Sequence, residues 1–172
     1  MSEFFLELFS EEMPPNLQNS ARDNLILNFK NFFEKENVEY KGEIRAYSTP
    51  NRLVMYFQKI TSEIIENAKE IRGPNVNSPE KALEGFIQSQ EIEKKNIFKK
   101  KTEKGEFYFY IKPKKKIKTY DLLIKNIPSI FDNIRWKKSM KWGEFDLYWG
   151  RPLKSILCIF DKKTVKFNYH HL

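Results

Sequence analysis

The side chains of this 172-residue chain that could do chemistry are few, and they are scattered. Glu7, Glu11 and Glu12 place three carboxylates near the end of the first apolar run. Neighbouring acids can exchange a proton or hold a hard cation. Three of them in a turn beside Pro14 and Pro15 are more commonly solvated or capping groups, and a structural role is expected. His170 and His171 are adjacent, so on an extended chain their rings point to opposite sides and cannot form one ligand pair. They are expected to mark the edge of a truncation. Cys158 is the single cysteine and lies in the apolar run Ile156-Leu157-Cys158-Ile159-Phe160. Burial there would raise its pKa and leave it inert. One cysteine permits no internal disulfide and fits a reducing compartment. The phosphate-binding glycine patterns and the H-E-x-x-H zinc pattern are absent. These residues give no catalytic centre and no metal site, so a self-contained enzyme is disfavoured.

Charge is the stronger feature. The net formal charge is +8, unevenly distributed. Residues 1–93 hold 10 Lys/Arg and 16 Asp/Glu, a net of −6, whereas residues 94–141 hold 16 and 4, a net of +12. Residues 142–172 hold 5 and 3. A basic middle segment suits a polyanion partner. The excess of Lys, Asn, Ile and Phe also matches what an AT-rich genome encodes, and the residues leave both origins open.

These side chains need elements to carry them. With 40% hydrophobic and 15% aromatic residues the chain can bury a core, and its length suits one domain or slightly more. No stretch approaches the roughly 20 apolar residues of a membrane span. The start lacks the basic and apolar regions of a signal peptide, so the cytoplasm is the expected location, with no membrane partner. Residues 3–9 read as a buried strand. A helix is expected over about 15–36, with Pro15 in its first turn and Leu17, Ala21, Leu25, Leu27, Phe29, Phe32 and Phe33 on its apolar face. Residues 43–48 and 52–60 form a hairpin across Thr49-Pro50-Asn51. Ser78 is expected to cap a helix over 79–90 with Ala82, Leu83, Phe86 and Ile87 inward. Residues 91–105 read as a lysine-rich connector, 106–111 as a strand, and Lys114-Lys115-Lys116 as an exposed loop. A helix over 119–134, with Leu122, Leu123, Ile127, Ile130 and Phe131 inward, should kink or break at Pro128. Leu153–Phe160 and Thr164–Tyr169 read as a closing hairpin. The pattern predicts an α+β fold with a mixed sheet, hairpins and about three helices. The final strand has no helix to cover it, so the chain is expected to be part of something longer.

Four segments stand out together: Phe5-Leu6-Glu7-Leu8-Phe9-Ser10-Glu11-Glu12-Met13-Pro14-Pro15; Ser48-Thr49-Pro50-Asn51-Arg52-Leu53; Arg72-Gly73-Pro74 with Lys81-Ala82-Leu83-Glu84-Gly85-Phe86; and Met140-Lys141-Trp142-Gly143 with Gly150-Arg151-Pro152-Leu153. In this order they resemble the opening of the bacterial glycyl-tRNA synthetase β subunit, which carries E-I-G-T-E-E-L-P-P, T-P-R-R-L, R-G-P, A-x-x-G-F, M-R-W-G and V-R-P. Here Phe9 stands for Gly, Asn51 for the first Arg, Lys141 for Arg, and Gly150 for an apolar residue. The exchange at Lys141 loses the bidentate fork of Arg. Lys137-Lys138-Ser139-Met140-Lys141 has the composition of the class I synthetase loop K-M-S-K-S but not its order, and is discarded.

The resemblance implies an α2β2 glycine–tRNA ligase in which the α subunit holds the site for glycine, ATP and Mg²⁺. The β subunit is implied to recognise tRNA(Gly), with residues 1–172 as its N-terminal region. That region resembles the editing-type module of the phenylalanyl-tRNA synthetase β subunit. Editing itself is not expected, because glycine is the smallest amino acid and a pocket can exclude larger ones by size. The implied role is tRNA positioning and assembly with the α subunit and a second β subunit. No cofactor is expected in this region. The candidate RNA-binding residues are Arg52, Arg72, Lys114, Lys115, Lys116, Lys137, Lys138, Lys141, Trp142 and Arg151. The cations would hold phosphates. Trp142, with Tyr108, Tyr110, Trp136 and Trp149, could stack on unpaired bases. Intramolecular bonding is the alternative for the three arginines.

Overall fold

A computed structural model describes residues 1–172. In chain order the elements are β1 (Ser2–Ser10), α1 (Pro15–Lys35), β2 (Tyr40–Thr49), β3 (Arg52–Ile60), β4 (Glu63–Glu66), β5 (Lys69–Asn75), α2 (Glu80–Gln90), β6 (Ile97–Thr102), β7 (Gly105–Lys112), β8 (Lys115–Lys118), α3 (Thr119–Asp132), β9 (Met140–Lys141), β10 (Tyr148–Trp149), β11 (Leu153–Phe160) and β12 (Lys163–Thr164). They form two compact units, Met1–Ile64 with Ile117–Leu172, and Ile65–Lys116. The strands β4 and β8, on which the chain passes from one unit to the other, pair with each other.

The larger unit is built on a five-stranded sheet of order β12-β11-β1-β3-β2. All its pairings are antiparallel, not mixed as the sequence suggests. The reason is topological. β1, α1 and β2 make a crossover whose two strands run parallel, but β3 turns back from β2 and inserts between them. Strand β1 alternates: Phe4, Leu6 and Leu8 are fully buried on the helix-covered face, with Leu53, Met55 and Phe57 of β3 beside them. Pro15 at the start of α1 costs nothing there, because that N–H has no intrahelical partner anyway. Leu17, Ala21, Leu25, Phe29 and Phe33 recur every fourth residue and are buried, which sets α1 on the sheet through ring contacts of Phe29 and Phe33 with Phe4 and of Phe33 with Phe57. Leu27 falls outside this stripe and is 54% exposed.

Helix α3 is continuous through Pro128 rather than broken there. Buried Leu123, Ile127, Ile130 and Phe131 bind both sides of the proline into the same core. Only β12 forms where a longer strand over 164–169 is expected. Val165 and Tyr169 are buried in a non-strand segment instead.

The smaller unit is a three-stranded antiparallel sheet of order β5-β7-β6 with α2. Three expectations are corrected here. The lysine-rich connector contains β6, paired along its length with β7. Lys115 and Lys116 belong to β8, exposed but not a loop. Ser78 does not cap α2: Pro79 is at the N-cap with no side-chain bond, and the Ser78 N–H is used in a turn onto the Asn75 carbonyl, 2.9 Å. Of the predicted inner face of α2 only Leu83 is buried.

Candidate nucleic-acid interface

Three of the four motif segments meet at one end of the larger sheet. Phe9 pairs with Arg52 on one side and Ser155 on the other, and Ser10 pairs with Leu153. The Ser10 N–H donates to the Asn51 carbonyl at 2.9 Å, Glu11 N–H to Pro152 at 2.9 Å and Met13 N–H to Pro50 at 2.7 Å. Prolines have an acceptor and no donor, so Pro50 and Pro152 suit positions that only receive bonds. The segment ending in Pro14-Pro15 is thereby tied to both other segments by backbone bonds.

The charged side chains at this end are largely paired with one another. The Arg52 guanidinium lies over the Phe9 ring at 4.7 Å, and its Nε is 3.5 Å from Glu7. Lys154 approaches Glu11 at 3.4 Å. Arg151 Nη1 is 3.7 Å from Met140 Sδ. Glu11, Glu12, Asn51, Arg151 and Lys154 line a shallow concavity of about 350 Å³. The acids are thus spread among cations, and no group of three or more His, Cys, Asp or Glu is arranged to hold a metal ion. Cys158 is buried, and burial pushes its thiol up to about 12. His171 Nε2 is 3.0 Å from the Leu153 carbonyl, and its ring stacks on Phe145. His170 lies edge-on to Tyr169 instead.

The remaining candidates divide between the two units. Lys137 and Lys138 are exposed on the stretch after α3. Lys141 pairs with Asp146, which raises the ammonium pKa and lowers that of the carboxyl. Trp142 is half-buried, edge-on to His171. Trp149 is 1% exposed and packs on Trp136 at 4.9 Å, so it cannot offer a ring to a base. In the smaller unit Arg72 lies 3.5 Å from the centre of the Phe107 ring, near exposed Lys114, Lys115 and Lys116 only in the sense of sharing that unit. Lys100 bridges to Glu70 at 2.7 Å across buried Phe109, while Tyr108 and Tyr110 are half-buried on the opposite face. The two halves of the third segment also meet: a Cβ on Gly73 would lie 2.9 Å from the Phe86 ring, so R-G-P and the Phe of A-x-x-G-F are packing partners.

A further feature lies outside the residues expected from the sequence. A groove of about 310 Å³ between α1 and α3 is lined by Asn28, Asn31 and Lys35 on one side and Asn126, Ser129 and Asn133 on the other, with Arg135 beyond. Both sets have i, i+3, i+7 spacing, a helical stripe. The signal in the sequence is a polar stripe, and a polar stripe on a helix is ordinarily its solvent face.

The family model described as glycyl-tRNA synthetase beta subunit matches residues 4–172. The chain belongs to that family. The glycine–tRNA ligase beta subunit of Rickettsia prowazekii (strain Madrid E) is 33% identical over all 172 residues, and that of Rickettsia bellii (strain OSU 85-389) is 34% identical. In both cases the match covers 100% of this chain and 26% of the relative, so the chain spans about a quarter of the length of these relatives. The motif segments on which the glycyl-tRNA synthetase β-subunit resemblance rests are thus structural partners: three at the sheet end, the other within the smaller unit. No helix is long and apolar enough to cross a membrane.

Proposed function

We propose that this chain is the N-terminal region of a glycine–tRNA ligase β subunit that works in the cytoplasm and supports ATP-dependent glycylation of tRNA(Gly) without supplying a catalytic group. The carrying observation is the family match over residues 4–172. In this reading glycine, ATP and Mg²⁺ are handled by the α subunit. This region helps position tRNA and hold an assembly of two α and two β subunits. Exposed Lys114, Lys115, Lys116, Lys137 and Lys138 contact phosphates, with Arg52, Arg72, Arg151, Lys141 and Trp142 at the motif positions. Its fold is related to the editing-type module of the phenylalanyl-tRNA synthetase β subunit, without the editing chemistry.

The test is charging of tRNA(Gly) with glycine by the cognate α subunit, with and without the full-length chain that begins with this sequence. Charging only when both are present supports the proposal, and an α subunit indifferent to the chain removes it. A purely structural role without RNA contact is the second reading. It is favoured by the engagement of Arg52 with Glu7 and Phe9 and of Arg72 with Phe107. A salt titration of RNA binding separates the two, because phosphate contacts weaken steeply as salt rises.

A further inference from the structure

We infer that the groove between α1 and α3 is a seat for the ribose–phosphate backbone of RNA. This rests on the reading that the chain positions tRNA, and it names a site outside the motif segments. The groove's donor and acceptor pattern is set by the helices themselves. A backbone carbonyl can only accept. Asn28 donates through Nδ2 to Ile130 O at 3.4 Å, Asn126 to Leu122 O at 2.8 Å and Asn133 to Ser129 O at 2.7 Å. One N–H of each amide is therefore used on helix backbone, and each Oδ1 remains as an acceptor beside the second N–H. Lys35 and Arg135 add two exposed cations with no ion-pair partner, and no carboxylate lines the groove.

Acceptors beside cations, with no competing acid, match a ligand that presents hydroxyl donors next to negative charge. A 2′-hydroxyl beside a phosphate is such a ligand, and the 2′-hydroxyl distinguishes RNA from DNA. A volume of about 310 Å³ lies at the lower end of the roughly 300–1,000 Å³ of ligand pockets, enough for a short stretch of backbone. Lys137 and Lys138 follow Arg135 by two and three residues, exposed, and could continue the phosphate track. A protein partner fits less well: an interface core is aromatic and apolar, whereas this groove has only Phe32 and Ile130 as apolar lining beside seven polar or charged residues.

The experiment measures binding of a fluorescein-labelled tRNA(Gly) transcript by anisotropy over a range of salt, alongside single-stranded DNA of the same sequence. Arg135→Glu alone and Asn31→Asp with Arg135→Glu alter only exposed positions, and unchanged melting confirms that each variant is folded. Lys59→Glu, at an exposed position of β3 outside every candidate site, is the charge-matched reference. The expected result is tighter binding of RNA than DNA, a loss of about tenfold or more for both groove variants with a salt slope shallower by about one per cation removed, and little change for Lys59→Glu. Salt-dependent RNA binding that the groove variants leave intact overturns the groove but not the tRNA reading. A loss of the same size with Lys59→Glu means that net charge alone sets the affinity, and it overturns the groove. Equal binding of RNA and DNA overturns the amide assignment. No RNA binding at low salt overturns both the groove and direct tRNA contact.

Discussion

At Gly150 a residue type is explained by a neighbour far away in sequence. Family resemblance puts an apolar side chain before Arg-Pro, yet this chain has glycine there. A Cβ on Gly150 would lie 2.5 Å from the Trp136 ring, so the indole occupies the space a side chain would need. Gly150→Val should destabilise the fold by about 1–3 kcal/mol, as overpacking does. Trp136→Leu should recover much of that loss, so a double-mutant cycle in denaturant should give a large coupling. A cycle that is additive would mean the two sites do not share this space. Cys158 offers a second test. Burial raises its folded pKa to about 12, above the unfolded value near 8.5, so the folded state holds the proton more tightly. Its stabilising contribution is full below pH about 8.5 and falls as pH rises toward about 12, with a slope approaching about 1.4 kcal/mol per pH unit. Buried Tyr169, raised by burial and by its bond to Asp132, acts in the same direction at higher pH. Cys158→Val should flatten the loss of stability between pH 9 and 10.5 seen in urea titrations.

At the scale of elements, strand β1 and helix α3 show where pattern suffices and where it does not. The alternation in β1 was legible, and so was the four-residue recurrence in α1, because both follow from local geometry. Phe4 is fully buried and contacts Phe29, Phe33 and Phe57 at once. Phe4→Ala should therefore cost about 3–5 kcal/mol, measured by chemical denaturation. Pro128 was expected to kink or break α3. The helix is not broken there, because the residues on either side are packed into the core, and that packing outweighs one missing hydrogen bond. Pro128→Ala restores the N–H and should stabilise the fold by about 1–3 kcal/mol in the same assay. Strands β4, β5 and β6 were not foreseen. β5 contains Gly73-Pro74, and its register with β7 shifts between Arg72 and Asn75. Half of β6 is lysine. Neither has the alternation that marks a half-buried strand.

Across the whole molecule, the linear charge asymmetry becomes something milder. The residues of the smaller unit, 65–116, hold 13 Lys/Arg and 8 Asp/Glu, a net of +5, and those of the larger hold 18 and 15, a net of +3. Acidic residues 1–64 and the mainly basic residues 117–141 belong to one unit. If RNA contacts are phosphate contacts, log affinity should fall linearly with log salt, and Lys114→Glu with Lys115→Glu should weaken all RNA sequences alike while reducing the slope by about two. A change in sequence preference without a change in slope would contradict that role.

The sequence by itself determined the α+β class, the long first helix, the first hairpin and the family, because periodicity, turn residues and ordered motifs are properties of neighbours along the chain. It also placed Cys158 in the core. Only the tertiary structure decided that β3 separates β1 from β2 and makes the sheet antiparallel, that Met13 and Glu11 donate backbone bonds to Pro50 and Pro152 of two distant segments, and that Trp136 fills the place beside Gly150. It also decided which polar stripes face each other across α1 and α3. Those outcomes depend on contacts between residues as much as a hundred positions apart, such as Asn28 with Ile130, and no local pattern encodes which distant surface a side chain will meet.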